Sequence, residues 1–138
     1  FVTCDVGFSF LEEWQKKFPD RYFNFGVTEM SSMAICAALA LEGMRPIFYS
    51  MINFALYRPF EVVRNMVAYH NAPVLIAGVQ GSVKYKMLGF SHTSKKNEDI
   101  NTIYHLPNMR AYIPMEDEEI VIMLEEFFKG NYPAYIRL

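Results

Sequence analysis

Short runs of β-branched and aromatic residues alternate along this chain with longer stretches whose apolar residues recur at helical spacing. That alternation constrains the fold more than any other feature. Parallel strands cannot be joined by a tight turn, so each needs a crossover, and a helix is the usual one. The pattern predicts strands at residues 1–4, 22–25, 46–49, 74–79, 109–113 and 135–138. Helices are expected at 9–18, 29–42 and 59–69, from Asn97 or Asp99 to Leu106, and from Glu116 to Gly130. Gly43 closes the second, Pro59 suits the first turn of the third, and Phe60, Val63 and Val67 form its apolar stripe. In the last helix Val121, Leu124 and Phe128 read as the buried face. The expected architecture is one doubly wound α/β domain over residues 1–138, with a mostly parallel six-stranded sheet and helices on both faces.

Composition fits one domain of this kind and removes several function classes. With 138 residues and 52% apolar content the chain can bury one core. Thirteen Lys and Arg against 15 Asp and Glu leave a charge of −2, which gives no electrostatic reason to bind nucleic acid or an anionic membrane. The longest apolar run, residues 33–41, falls far short of the roughly 20 residues of a membrane span, and nothing resembles a leader. Cys4 and Cys36 lie far apart in apolar runs, so they are expected to be reduced, buried thiols of a cytoplasmic protein rather than metal ligands. A chain opening on a strand at Phe1 is expected to be a piece of a longer one. Gly-x-Gly-x-x-Gly, the phosphate-loop motif and Gly-x-Ser-x-Gly are all missing from the sequence.

Three places could carry chemistry. Glu29 is a carboxylate in the first turn of a second helix that is otherwise apolar nearly all round, and that composition requires the helix to be buried on most sides. It is either a carboxylate favoured by the helix dipole after a Thr28 N-cap or a functional group at the mouth of an apolar element. Phe54 and Tyr57 follow the third strand at a spacing of three, as plain core residues or at the edge where open α/β sheets bind ligands. His92 lies in a long stretch without period, residues 81–96, where a histidine is either an inert surface group or a proton carrier. His70 and His105 sit near helix C-termini, a position that accounts for them fully.

Longer stretches now give a resemblance. Pro19-Asp20-Arg21-Tyr22-Phe23-Asn24-Phe25-Gly26-Val27-Thr28-Glu29 and Ala38-Leu39-Ala40-Leu41-Glu42-Gly43-Met44-Arg45-Pro46 resemble the pyrimidine-binding module of transketolase-like thiamine diphosphate enzymes. Asn53-Phe54, Arg58-Pro59-Phe60-Glu61, Arg64-Asn65, Leu106-Pro107-Asn108-Met109 and Tyr132-Pro133-Ala134-Tyr135-Ile136-Arg137-Leu138 continue it in order over essentially the whole chain. The resemblance implies that Glu29 shares a hydrogen with N1′ of the coenzyme's aminopyrimidine, which favours the tautomer whose 4′-nitrogen removes the thiazolium C2 proton. Apolar surroundings would help that carboxyl keep or share the hydrogen. It further implies that Phe54 and Tyr57 pack on the pyrimidine, that Asp5 and Val6 line its pocket, that His92 meets substrate oxygens as a hydrogen-bond donor or proton carrier, and that Ser9 contacts a substrate phosphate.

The chain departs from the family where transketolases and deoxyxylulose phosphate synthases commonly carry Asp-Gly-Pro-Thr-His-Gln. Here Leu88-Gly89-Phe90-Ser91-His92-Thr93 follows Lys84, Lys86 and Met87. Met51 also stands where transketolases often have an aromatic. The Gly-Asp-Gly motif that holds the diphosphate and its Mg2+ or Ca2+ is not in this sequence. A partner module or subunit is therefore implied, in a dimer or larger oligomer. The implied reaction is transfer of a two-carbon ketol unit between sugar phosphates. A 2-oxo acid dehydrogenase β subunit, a deoxyxylulose phosphate synthase and a non-catalytic scaffold domain are the alternatives.

Overall fold

The computed structural model describes residues 1–81 and 85–138. All six expected strands form: β1 (Val2–Thr3), β2 (Phe23–Asn24), β3 (Ile47–Met51), β4 (Leu75–Val79), β5 (Arg110–Tyr112) and β6 (Ala134–Arg137). They make one sheet of order β2-β1-β3-β4-β6-β5, and every neighbouring pair is parallel. After β1 the chain adds β2 on one side and then crosses back to lay β3 on the other. The strand order therefore reverses between β1 and β3, and a crevice opens beyond the carboxyl ends of strands at such a point.

Helices cover both faces: α1 (Glu12–Lys17), α2 (Glu29–Leu41), α3 (Phe60–Val62), α4 (Glu98–Tyr104) and α5 (Asp117–Lys129). Side chains alternate across β4, so Val74 and Ile76 join Val2, Phe48 and Met33 in one core. Leu75 and Ala77 join Ile136 and Phe127 in the other. Cys4 and Cys36 are buried and in no disulfide, and burial pushes the Cys36 thiol up to about 12. Among the described residues no helix is long and apolar enough to cross a membrane.

Three expectations need correction. Helical structure begins before Pro59. It starts at Asn53–Tyr57 as π-helix, passes through α3, and continues as π-helix over Val63–Ala68. Proline lacks an N–H, so the regular ladder cannot run through residue 59, and the wider turns on either side absorb the break. The buried stripe of α5 is Ile120, Met123, Leu124 and Phe127, whereas Val121 and Phe128 are exposed. Apolar residues crowd 120–124 and 127–128, so two phases were open, and contact with the sheet selects one. Finally, α2 buries only the face of Met33, Cys36, Ala37 and Ala40, leaving Met30, Ile35 and Leu41 about half exposed. Gly43 does close it, at φ 93°, where its N–H donates to Ala40 and that of Met44 to Leu39, both at 3.0 Å.

One buried polar cluster ties α4 to β6. The Asp99 carboxylate, fully buried, accepts bonds from Arg137 at 2.7 and 2.9 Å and from the Tyr135 hydroxyl at 2.6 Å. Burial acts to raise the Asp99 carboxyl, but the hydrogen bonds from Arg137 and Tyr135 outweigh it and hold the group below its ordinary range. A depressed folded-state value stabilises the fold above the unfolded value, near pH 3.9, and that stability is lost as pH falls through the folded value. Asp99→Ala removes the ion-pair partner of the Arg137 guanidinium, which is only 16% exposed, and is expected to cost up to about 3 kcal/mol in urea unfolding at pH 7. The gap between variant and parent should narrow below about pH 4 as the parent's own carboxyl takes up its proton.

Candidate functional site

The turn from β2 into α2 places Glu29 at the first helical position, where it is only 3% exposed. Thr28 holds the N-cap position without capping: its hydroxyl donates to the Phe25 carbonyl at 2.9 Å and lies 3.1 Å from Ser32 Oγ. Ser32 in turn is 3.3 Å from Cys4 Sγ, so the first turn of α2 is fastened to the end of β1. Beside it Asp5, exposed and at φ 50°, exchanges two 3.0 Å hydrogen bonds with Asn24, which ties together the carboxyl ends of β1 and β2.

Glu29 is not surrounded only by apolar groups. Arg58, from the turn after the Asn53–Tyr57 π-helix, donates through Nη1 to Glu29 Oε1. Its guanidinium also lies over the Phe54 ring, 4.0 Å from the centroid. Phe54 meets the His92 ring edge to face, with centroids 5.0 Å apart and planes at 82°. Glu29, Arg58, Phe54 and His92 thus form one row of touching side chains drawn from three parts of the sequence. It runs beside the β1–β3 reversal, from a buried carboxylate to a half-buried imidazole.

The loop that carries His92 is held from two sides. The Asn53 side-chain amide donates to the carbonyls of Phe90 at 3.3 Å and Thr93 at 3.1 Å. Opposite, a Cβ on Gly81 would collide with the His92 carbonyl oxygen, so glycine is what lets the two backbones close. Ser91 Oγ lies 2.8 Å from His92 Nδ1. Met87, Leu88 and Phe90 are exposed on this loop, and Lys84 lies outside the described residues.

The remaining expected residues are more scattered. Tyr57 packs its ring on the core of α2 and α3, and burial above all, helped by the Glu98 carboxylate, pushes its hydroxyl up to about 12. Among the described residues no hydrogen bond reaches that hydroxyl. Val6 lines a cleft of about 120 Å³ with Gly7, Leu11 and Tyr22, at the same sheet edge as Asp5. Ser9 is exposed, and its N–H donates to the Glu12 carboxylate at 2.6 Å. None of these three is joined to Glu29 by a hydrogen bond among the described residues. No group of three His, Cys, Asp or Glu among them could hold a metal ion.

Residues 3–138 match the transketolase pyrimidine-binding domain family. The chain belongs to that family. It is 37% identical over 132 residues to the 1-deoxy-D-xylulose-5-phosphate synthase of Thermotoga petrophila, covering 92% of this chain and 20% of that protein. An uncharacterised 33.6 kDa protein of the fasciation locus of Rhodococcoides fascians is 27% identical over 137 residues, 99% of this chain and 43% of the other. Among solved structures, a split-gene transketolase described as an inactive β4 tetramer superposes with a TM-score of 0.83 at 30% identity, over 99% of this chain and 44% of that one. The chain spans less than half the length of each of these proteins.

Within this pyrimidine-binding domain, two site residues escaped the sequence analysis in their roles. In the sequence Arg58 stands out only as part of the family pattern, and nothing there links it to a carboxylate 29 residues earlier. Asn53 carried one usable signal, a polar side chain between a strand end and an aromatic. Asn53→Ala removes both bonds to the loop, each worth about 1 kcal/mol. The expected outcome is faster hydrogen exchange over residues 89–94, with exchange in β3 and β4 unchanged. Equal protection in parent and variant would show that Asn53 does not hold the loop.

Proposed function

We propose that this chain is the pyrimidine-binding part of a thiamine diphosphate enzyme that transfers a two-carbon ketol unit between sugar phosphates. The observation that carries the reading is the buried Glu29 carboxylate facing the same guanidinium that lies on the Phe54 ring. A site that accepts a flat, hydrogen-donating group between a carboxylate and an aromatic face offers the acceptor and the stacking surface that suit an aminopyrimidine sharing a hydrogen at a ring nitrogen. Family membership supplies the identity of that ring. When bound, thiamine diphosphate supplies a carbon nucleophile and an electron sink for cleavage next to a carbonyl.

The chain's own residues have separable tasks in this reading. Glu29 shares a hydrogen with the ring nitrogen, and burial keeps water from competing for it. Phe54 sets the plane of the ring. Tyr57 supports the helical turn from behind, and Asp5 and Val6 shape the neighbouring edge. With Nδ1 of His92 engaged by Ser91, Nε2 is the nitrogen that would donate to a substrate oxygen. Ser9 is assigned to the substrate phosphate on the family pattern alone. The diphosphate and its Mg2+ or Ca2+ fall to a partner module, for which the exposed Met30, Ile35 and Leu41 face of α2 is the proposed contact. The proposed setting is the cytoplasm.

A second reading has its own support, since the relative from Thermotoga petrophila is a 1-deoxy-D-xylulose-5-phosphate synthase at higher identity than the split-gene transketolase. The complete enzyme separates the two. Ketose-dependent transfer to an aldose is expected, and decarboxylation of pyruvate would replace this reading with the second. Glu29→Gln in the complete enzyme is expected to lower turnover at least about 10²-fold while circular dichroism stays that of the parent. Unchanged turnover would instead make the domain a scaffold that has kept the fold.

A further inference from the structure

The two groups assigned above to the aminopyrimidine ring are both engaged by one side chain of the same domain. Arg58 donates to the Glu29 carboxylate, and its planar guanidinium covers the Phe54 ring at 4.0 Å. A guanidinium is flat, donates in its plane and offers its face to an aromatic, so it meets this pair of groups much as a hydrogen-bearing heterocycle would. We propose that Arg58 is a displaceable occupant of the pyrimidine seat, so that coenzyme binding exchanges one planar donor for another. This inference rests on the coenzyme reading of Glu29 and Phe54.

Burial and exposure set the two ends of this contact apart. Glu29 is 3% exposed, and a carboxylate so placed requires a partner at every stage. The Arg58 side chain is 43% exposed, so its charge can return to water along a flexible stem without a large desolvation change. Exchange therefore never leaves the buried member bare, and the mobile member always has solvent available. In the proposed exchange Arg58 and the ring compete for Glu29 Oε1 and for one face of Phe54, so the measured coenzyme affinity scales with the fraction of molecules in which Arg58 has left. The device keeps a buried carboxylate satisfied in a domain whose ligand is held at its other end by a different module.

The test measures thiamine diphosphate affinity, with Mg2+, by titration calorimetry on the chain assembled with its diphosphate-binding partner. Arg58→Gln and Arg58→Met, the second keeping an apolar stem, are each expected to tighten binding about 5- to 10-fold over the parent. Unchanged or weaker binding in both would overturn the proposal, because Arg58 would then be neutral or part of the coenzyme's own contacts. Should both variants unfold without coenzyme, saturating thiamine diphosphate with Mg2+ is expected to restore the parent's circular dichroism, because the ring then partners Glu29, and failure to restore it would overturn the proposal. Glu29→Gln separates this from failure of the underlying reading. If that variant keeps full turnover, the coenzyme assignment itself is wrong. If it loses turnover while the Arg58 variants bind no more tightly, only the occupant proposal falls.

Discussion

Taking the Glu29 carboxylate out of water is the constraint that organises this edge of the molecule. A charge that is 3% exposed requires a hydrogen-bonded counterpart, and α2 offers none, because every other residue from Met30 to Leu41 is uncharged. The counterpart has to come from another element, and it comes from Arg58. Holding Arg58 there fixes Phe54 beneath its guanidinium, and Phe54 in turn meets His92. Four side chains are thereby aligned by one electrostatic requirement, beside the point where the strand order reverses.

The backbone that satisfies this requirement is not a regular α-helix. The Arg58 N–H donates to the Asn53 carbonyl at 2.9 Å, a reach of five residues, and the same spacing recurs from Tyr69 to Arg64. Within the first wide turn Ala55 and Leu56 are fully buried, while Asn53 and Phe54 stay half-buried at the sheet edge and Arg58 is exposed. The turn can thus serve the core and the site together. Asn53 begins it and also grips the His92 loop, so one residue couples the ring on which Arg58 lies to the imidazole at the row's far end.

Much of this was legible in the sequence, for physical reasons that differ by element. The six strands and the order of helices follow from β-branching and period, which report local backbone preference and burial together. Glu29 stood out because a lone charge in an apolar helix is costly unless it has a purpose. Phase within α5 was not legible, since Ile120 and Val121, like Phe127 and Phe128, satisfy either stripe, and only packing on β4 and β6 separates them. Thr28 reads as a cap by residue type, yet its hydroxyl donates to the Phe25 carbonyl just after β2 and lies against Ser32 in the first turn of its own helix. Arg58 with Glu29, and Arg137 with Asp99 38 residues away, are partnerships made by tertiary structure alone.

In the proposed enzyme the outer face of α2 would link site and assembly. A helix apolar on all sides needs cover on all sides, and its own domain supplies half: Cys36 and Ala37 are fully buried while Met30, Ile35 and Leu41 are not. Met30 adjoins Glu29 in the chain, so whatever covers that face arrives at the rim of the carboxylate's recess. A partner seated there would cover the exposed Met30 side chain at that rim and bring the coenzyme's other half within reach in the same event. Under this arrangement, association and formation of a dry pyrimidine seat become one equilibrium, and Arg58, on the solvent side of the recess, is the group whose position that equilibrium decides.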